Sequence, residues 1–371
     1  MSARTIGPAL LAVGDGTAHQ GCLRIENGRI LSLEDGPQYL DYELPFGSTV
    51  TPGLIDLHVN GTGDRSFARE PAETVKMMST LGPAHGLSAF LPSIMSGPWE
   101  PTLLAAAELY KCLSWQPAGA RALGVHFEGP FLNPEFRRAH EREYIMSPTP
   151  ALIEALLATW TTGCCRVTMA PELEDAPRAA AELRRRGVVL SAGHTGASYA
   201  VGNSAIEQGY NILTHTFNAM PGIHHRTSSI LVAYVLDPTA FCEAIADGAH
   251  VSLEMLALLY RLKGVNLVLT SDAMPVDVRS TEEAGLVRNA EGMIAGSRLM
   301  LDQAVRNLMA ATGITLAEAV VCATWAPARA MGIDGEMGIL REGMRADFTV
   351  WDRHNRISHT FVDGVLVYTN N

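Results

Sequence analysis

Eight short apolar runs, spaced along most of the chain and separated by longer amphipathic stretches, constrain this sequence more than any other feature. They fall at 54–59, 88–92, 122–127, 166–170, 188–191, 211–214, 241–246 and 265–270. Between them, apolar residues recur with the helical period at 72–81, 102–113, 151–161, 176–186, 198–208 and 253–262. Two more helical stretches, 301–312 and 316–331, follow the eighth run. Short buried strands alternating with helices predict a parallel α/β architecture. A closed (β/α)₈ barrel fits best, and a doubly wound open sheet is the alternative.

The termini read differently. Residues 22–26 and 29–33 flank Asn27-Gly28, a strong hairpin turn, and strand-like residues at 346–351 and 360–368 include the turn Asp363-Gly364. Neither piece can bury a core alone. We therefore expect a small β-sandwich domain from residues 1–50 plus 338–371, and the barrel from 51–337.

Composition narrows the function. With 47% hydrophobic and 18% charged residues in a chain of 371, the sequence can fill a large core. A net charge of -11 argues against nucleic acid or an anionic membrane as partner, yet leaves room for a phosphorylated small molecule held by a local donor cluster. The six cysteines form no C-x-x-C pair and read as buried free thiols, and the N-terminus lacks the apolar length of a signal peptide, so a cytoplasmic location is expected.

Catalytic groups of such barrels sit where the strands end. Here the runs end in or lead to His58, Glu128, His194, His215, Asp247 with His250, and Asp272. Six strands delivering imidazoles and carboxylates to one address are hard to explain by packing. Glu128, His194 and His215 make a three-ligand set suited to one Zn²⁺ per subunit, with Fe²⁺, Mn²⁺ or Co²⁺ as alternatives. Such an ion lowers the pKa of a bound water nucleophile and polarises a carbonyl. Hydrolysis also needs a carboxylate that moves the proton, and Asp272 is the candidate general base and acid. His126, two residues before Glu128, reads as a barrel-interior residue bonded to a neighbour, and Glu172 as half of a structural ion pair.

The residues then resemble a known family, the N-acetylglucosamine-6-phosphate deacetylases of the amidohydrolase superfamily. The likeness is carried by Pro52-Gly53-Leu54-Ile55-Asp56-Leu57-His58 and by His126-Phe127-Glu128-Gly129-Pro130. It continues through Gly193-His194-Thr195, Thr214-His215-Thr216-Phe217-Asn218-Ala219-Met220, Asp247-Gly248-Ala249-His250 and Ser271-Asp272-Ala273, in order along the whole chain. The resemblance implies the same metal ligands and the same base. It also implies substrate contacts from Ala139, His140, Asn218, Ala219, Arg226, Asp247, Gly248, Ala249 and His250, and from an Ile294-Ala295-Gly296 turn. It implies a homodimer in which Arg226 reaches the phosphate in the neighbouring subunit's site, with backbone N–H groups of Asn218 and Ala219 sharing the load.

The sequence departs from the family in three places. His58-Val59-Asn60 replaces the His-x-His of two-metal members, which predicts a single metal with His58 as an occasional weak ligand. Arg138 replaces a small residue before Ala139, and Thr227-Ser228-Ser229 replaces Glu-Pro-Gly after Arg226. Both changes bear on which sugar is taken, N-acetylglucosamine 6-phosphate or the galacto isomer. Another amidohydrolase reaction is disfavoured by the lack of lysine on the fourth strand. A catalytically dead scaffold is disfavoured because Glu128, His194, His215 and Asp272 are all retained.

Overall fold

The computed structural model describes residues 3–36, 39–115, 117–276, 281–283 and 285–370. All eight apolar runs are strands: β1 (Leu54–Val59), β2 (Leu87–Met95), β3 (Gly124–Glu128), β4 (Cys164–Met169), β5 (Val189–Ala192), β6 (Tyr210–Leu213), β7 (Phe241–Ile245) and β8 (Leu267–Thr270). Each pairs in parallel with the next in chain order. A parallel bridge between Val59 and Ala273, with the Asp272 N–H donating to the His58 carbonyl at 3.0 Å, joins the last strand to the first. The sheet therefore closes into a barrel, and the open-sheet alternative is set aside.

Helices α1 (Pro71–Leu81), α2 (Trp99–Cys112), α3 (Pro150–Thr159), α4 (Ala176–Arg185), α5 (Tyr199–Glu207), α6 (Ile230–Leu236), α7 (Leu253–Lys263) and α8 (Leu301–Thr312) follow the successive strands. All but the wholly apolar α6 are amphipathic, and their apolar faces pack on the outward faces of the strands to form one continuous core. Ser198 and Ser252 cap α5 and α7 through their side chains. Asp302 lies in the first turn of α8, where a carboxylate favours the helix dipole and where His85 and Arg306 also hold it at 3.1 and 2.8 Å.

The expected helix over 316–331 is instead two, α9 (Leu316–Val321) and α10 (Trp325–Met331). Pro327 has no N–H to offer the Ala323 carbonyl four residues back. That carbonyl accepts from Ile55 N–H at 2.8 Å, and the Cys322 carbonyl accepts from Leu269 N–H at 2.7 Å. The break tethers the segment to β1 and β8.

The termini meet in a separate eight-stranded, mostly antiparallel sheet. Its central path runs Val365–Thr369, Ile357–Val362, Phe348–Trp351, Thr49–Pro52, Arg4–Ala12, Ala18–Glu26 and Arg29–Glu34, with Tyr42–Glu43 beside Arg4–Ala12. Both predicted turns are present, Asn27-Gly28 at φ 49° and 77°, and Asp363-Gly364 at 49° and 69°. The sheet has its own core, in which the Phe348 and Phe361 rings stack 4.4 Å apart. Only Gly53 separates Thr49–Pro52 from β1. A Cβ there would lie 2.3 Å from Ser88 Oγ, so the link admits no larger residue without displacement. Among the described residues all six cysteines are free, and no helix is long and apolar enough to cross a membrane.

Candidate metal centre and catalytic pocket

His194, His215 and Asp272 each lie two residues beyond the end of their strand, and all three take left-handed backbone angles, φ 48°, 30° and 48°. A non-glycine residue there costs about 1–3 kcal/mol, so the surrounding structure must hold it. It does so with backbone bonds on either side: Thr214 N–H to Ala192 O at 2.8 Å, Thr216 N–H to Glu243 O at 2.8 Å, and Ser297 N–H to Asp272 O at 3.0 Å. Each sharp reversal throws its side chain across the barrel mouth, towards Glu128 at the end of β3.

There the predicted ligands meet. His194 Nε2 and His215 Nε2 lie 3.1 and 3.0 Å from Glu128 Oε1, and 3.1 Å from each other. An ion bonded at about 2.0–2.1 Å to such donors would hold them roughly 3.3 Å apart in a tetrahedron. The protons make the case sharper. His194 Nδ1 lies 3.0 Å from the Phe136 carbonyl, which can only accept, so Nδ1 carries the hydrogen of the neutral ring. Nε2 then presents a lone pair to a carboxylate oxygen and a second imidazole nitrogen. Burial, with His140 next, lowers His194 to about 4, which keeps it in this neutral, ligating form. All three residues are buried, and they form a cluster able to hold a metal ion. The donor set and its orientation fit a divalent cation.

His58 is completely buried, with Nε2 at 3.2 Å from Glu128 Oε2 and 3.5 Å from Asp272 Oδ1, and neither ring nitrogen hydrogen-bonded. It stands against the other carboxylate oxygen, outside the three-donor cluster. Burial opposes its protonation, but Glu128, Asp272 and Glu243 outweigh this and raise it to about 9. Burial would likewise raise Glu128, yet His58 and the other imidazoles hold it well below the usual carboxylate range. Asp272 goes the other way, raised by burial and by the nearby Glu128 charge. Asn60 Nδ2 donates to Asp272 Oδ1 at 2.7 Å and fixes its rotation.

A cavity of about 330 Å³ opens above this cluster. It is lined by Glu128, His194, His215 and Asp272, and by the predicted contacts Ala139, His140, Asn218 and Ala219. Ala249, His250, Ile294 and Ala295 complete the predicted set that the cavity gathers. Ser96 N–H donates to His140 Nδ1 at 3.2 Å, so the neutral His140 ring carries its proton on Nε2, a buried atom with no hydrogen-bond partner, 3.8 Å from Glu128 Oε2.

Other expectations need correction. Asp247 and Gly248 do not line the cavity. The Asp247 carboxylate instead holds His250, accepting from its backbone N–H at 2.8 Å and lying 2.6 Å from Nδ1. Arg226, expected to serve a neighbouring subunit's site, needs no such correction: it is exposed and lies outside the cavity of its own chain. The Asn218 N–H donates to His215 O at 2.9 Å and so is unavailable to a ligand. Ile294-Ala295-Gly296 is part of a strand, Ile294–Ser297, in a small sheet with Leu286–Arg288 and Thr281–Glu283. Gly296 packs over Asp272, and a Cβ there would lie 2.7 Å from its carbonyl. Glu172 forms no ion pair among the described residues. It accepts from Asn133 Nδ2 at 2.8 Å, Thr195 Oγ1 at 2.5 Å and Gly196 N–H at 2.7 Å, bracing the loop that carries His194. His126 stays structural, between Ser93 and Thr168 at 2.9 and 2.8 Å.

Sequence reasoning missed the support under the floor. Arg166, on β4, donates to Glu243 on β7 at 2.5 and 2.9 Å, and to Ser191 Oγ at 2.7 Å, all fully buried. It also missed Met95, Phe217, Ile245 and Met293 as cavity walls. Met95 and Ile245 end β2 and β7, and Phe217 and Met293 lie in loops; scattered apolar residues of this kind carry no signal of their own before the fold is known.

Comparison with known proteins agrees with this arrangement. The Amidohydrolase family model matches residues 49–367. The chain belongs to the amidohydrolase family. Members of this family are metal-dependent hydrolases, in keeping with the Glu128–His194–His215 cluster. Among curated amidohydrolase relatives, the chain is 32% identical to an N-acetylgalactosamine-6-phosphate deacetylase of Escherichia coli O157:H7, over 93% of this chain and 94% of that one. It is 30% identical to the N-acetylglucosamine-6-phosphate deacetylase of Rattus norvegicus, over 95% and 93%. Among solved structures, a single-residue mutant of the N-acetyl-D-glucosamine-6-phosphate deacetylase of Mycobacterium smegmatis, in complex with N-acetyl-D-glucosamine-6-phosphate, matches with a TM-score of 0.92. That match is at 29% identity and covers 100% of both chains. The expected family and (β/α)₈ fold are borne out.

Proposed function

We propose that this amidohydrolase removes the acetyl group from N-acetyl-D-glucosamine 6-phosphate, giving acetate and D-glucosamine 6-phosphate. The observation that carries the reading is the meeting of Glu128 Oε1, His194 Nε2 and His215 Nε2 at 3.0–3.1 Å beside Asp272, under a cavity of sugar size. The names of the rat and mycobacterial relatives support the substrate. Glu128, His194 and His215 would hold one divalent ion, with Zn²⁺ the first choice for two imidazoles and a carboxylate. Bound there, the ion would polarise the acetamide carbonyl and make a water acidic near neutrality.

The chain's own residues do the rest. Asp272, its Oδ1 engaged by Asn60, takes the proton of the attacking water on Oδ2 and then delivers it to the departing amine. Its raised pKa suits a group that must first gain that proton and then give it up. His140 directs its Nε2–H into the cavity, where it stabilises the negative charge that develops on the carbonyl oxygen. Ala219, Ala249, His250 and Ile294 to Gly296 shape the sugar site, with Asp247 setting the His250 ring. Arg226 serves the phosphate in the site of a second copy in a homodimer.

Amine release from the 6-phosphates of N-acetylglucosamine and N-acetylgalactosamine tests the proposal. Metal chelation should abolish it and Asp272→Asn should cut it at least about a hundredfold, and undiminished activity under both rules the mechanism out. The galacto isomer is the second reading, favoured by the 32% identity to the Escherichia coli enzyme. The better kcat/KM decides between them.

A further inference from the structure

Arg138 is the one arginine or lysine among the described residues lining the catalytic cavity. Two carboxylates, Glu128 and Asp272, line the same space. A cavity of about 330 Å³ is about 9 Å across if round, so a cation on its wall is within reach of a small ligand inside. The Arg138 side chain is exposed, and among the described residues its guanidinium has no carboxylate or carbonyl partner. Its backbone, by contrast, is clamped. Arg138 has φ 50°, its carbonyl accepts from Arg137 Nη1 at 3.1 Å, and the same nitrogen donates to the His140 carbonyl at 2.8 Å. The His140 N–H closes the turn on the Arg137 carbonyl at 3.1 Å. Arg137 is thus spent on shaping the loop, and Arg138 is left as a free fork on a fixed base.

From this placement we propose that Arg138 binds the substrate's anionic phosphate from within the same chain. A fixed positive charge on the cavity wall attracts an entering dianion, in addition to the charge of a bound metal ion. A guanidinium matches phosphate with two parallel N–H donors. Arg138 is therefore a specificity residue, one that helps distinguish a phosphorylated sugar from a plain one alongside the Arg226 that a second copy supplies.

The proposal deepens the deacetylase reading and rests on it for the choice of sugar, so the test uses binding as well as turnover. Affinities of wild type, Arg138→Ala and Arg138→Lys for D-glucosamine 6-phosphate and for D-glucosamine are measured by calorimetry with metal-loaded protein. Arg138→Ala should weaken the phosphorylated sugar about 10- to 100-fold more than the plain one, the range of one hydrogen-bonded charge pair. Arg138→Lys should recover part of the loss. The wild-type preference for phosphate should also shrink with added salt, and more steeply than that of Arg138→Ala. Equal loss for both sugars, no loss, or no wild-type binding of the phosphorylated sugar overturns the proposal. Binding that depends on Arg138 in a protein that releases no amine overturns the deacetylase reading instead.

Discussion

Arg166 and Glu243 form a two-pronged ion pair at 2.5 and 2.9 Å inside the barrel, both fully buried and directly beneath the metal centre. The pair is wired to the site. The Glu243 carboxylate accepts from the His215 N–H at 3.4 Å and lies 4.0 Å from His58 Nδ1. Arg166 also reaches Leu57 O and Thr214 Oγ1, both at 3.2 Å, on residues adjacent to His58 and His215.

Removing one partner leaves an uncompensated buried charge. Glu243→Gln should therefore lower unfolding stability by about 3–5 kcal/mol, measured by denaturant titration. Because the pair also sets the His215 backbone, Glu243→Gln should weaken metal affinity about 10- to 100-fold in chelator competition. A variant with normal metal affinity would reduce the pair to a packing element.

Asp272→Asn should lower kcat by about 10²–10⁴-fold, the range for a positioned proton-transfer group, with metal content unchanged. Asn60→Ala should act in the same direction and more weakly, since it frees the carboxylate to rotate while leaving it present. Steady-state amine release on metal-loaded protein measures both.

The Asp247–His250 contact gives a pH signature. Burial opposes the charge on His250, but the hydrogen bond and charge of Asp247 prevail and raise its pKa above the ordinary 6.5. A raised folded-state pKa adds stability that is complete below 6.5 and is lost as pH climbs through the raised value. The stability difference between wild type and His250→Gln should therefore shrink as pH rises from about 6 into the alkaline range. Denaturant titrations across that range would show it. A difference that grows with pH would reverse the assignment.

Much of this was legible beforehand because strands buried on both faces read as continuous apolar runs, which marked all eight. The position of His194, His215 and Asp272 just past such runs then followed from barrel geometry. What stayed hidden depends on long-range pairing. Helix α6, Ile230-Leu231-Val232-Ala233-Tyr234-Val235-Leu236, is apolar throughout and shows no helical period. Arg166 and Glu243 are charged residues inside apolar runs, a visible anomaly, but strands three apart around the barrel meet only after closure. The Leu286–Arg288 and Ile294–Ser297 hairpin is short, and the small residues of its second strand suggest a turn. Glu172 gave no hint that its partners would be a hydroxyl, an amide and a backbone N–H.

Metal should also appear as stability. A chain saturated about a thousandfold above Kd gains about 4 kcal/mol from binding, so chelation should lower Tm as well as activity. His194→Ala should lose most of that shift, because its Nε2 is one of the three converging donors.

The most direct measurement is a zinc titration of the chelated, metal-free protein, read as amine release from N-acetylglucosamine 6-phosphate. The account predicts activity that climbs linearly and breaks at one equivalent per chain, with none recovered in His194→Ala. Full activity without metal, or a His194→Ala variant that titrates like the wild type, would contradict it.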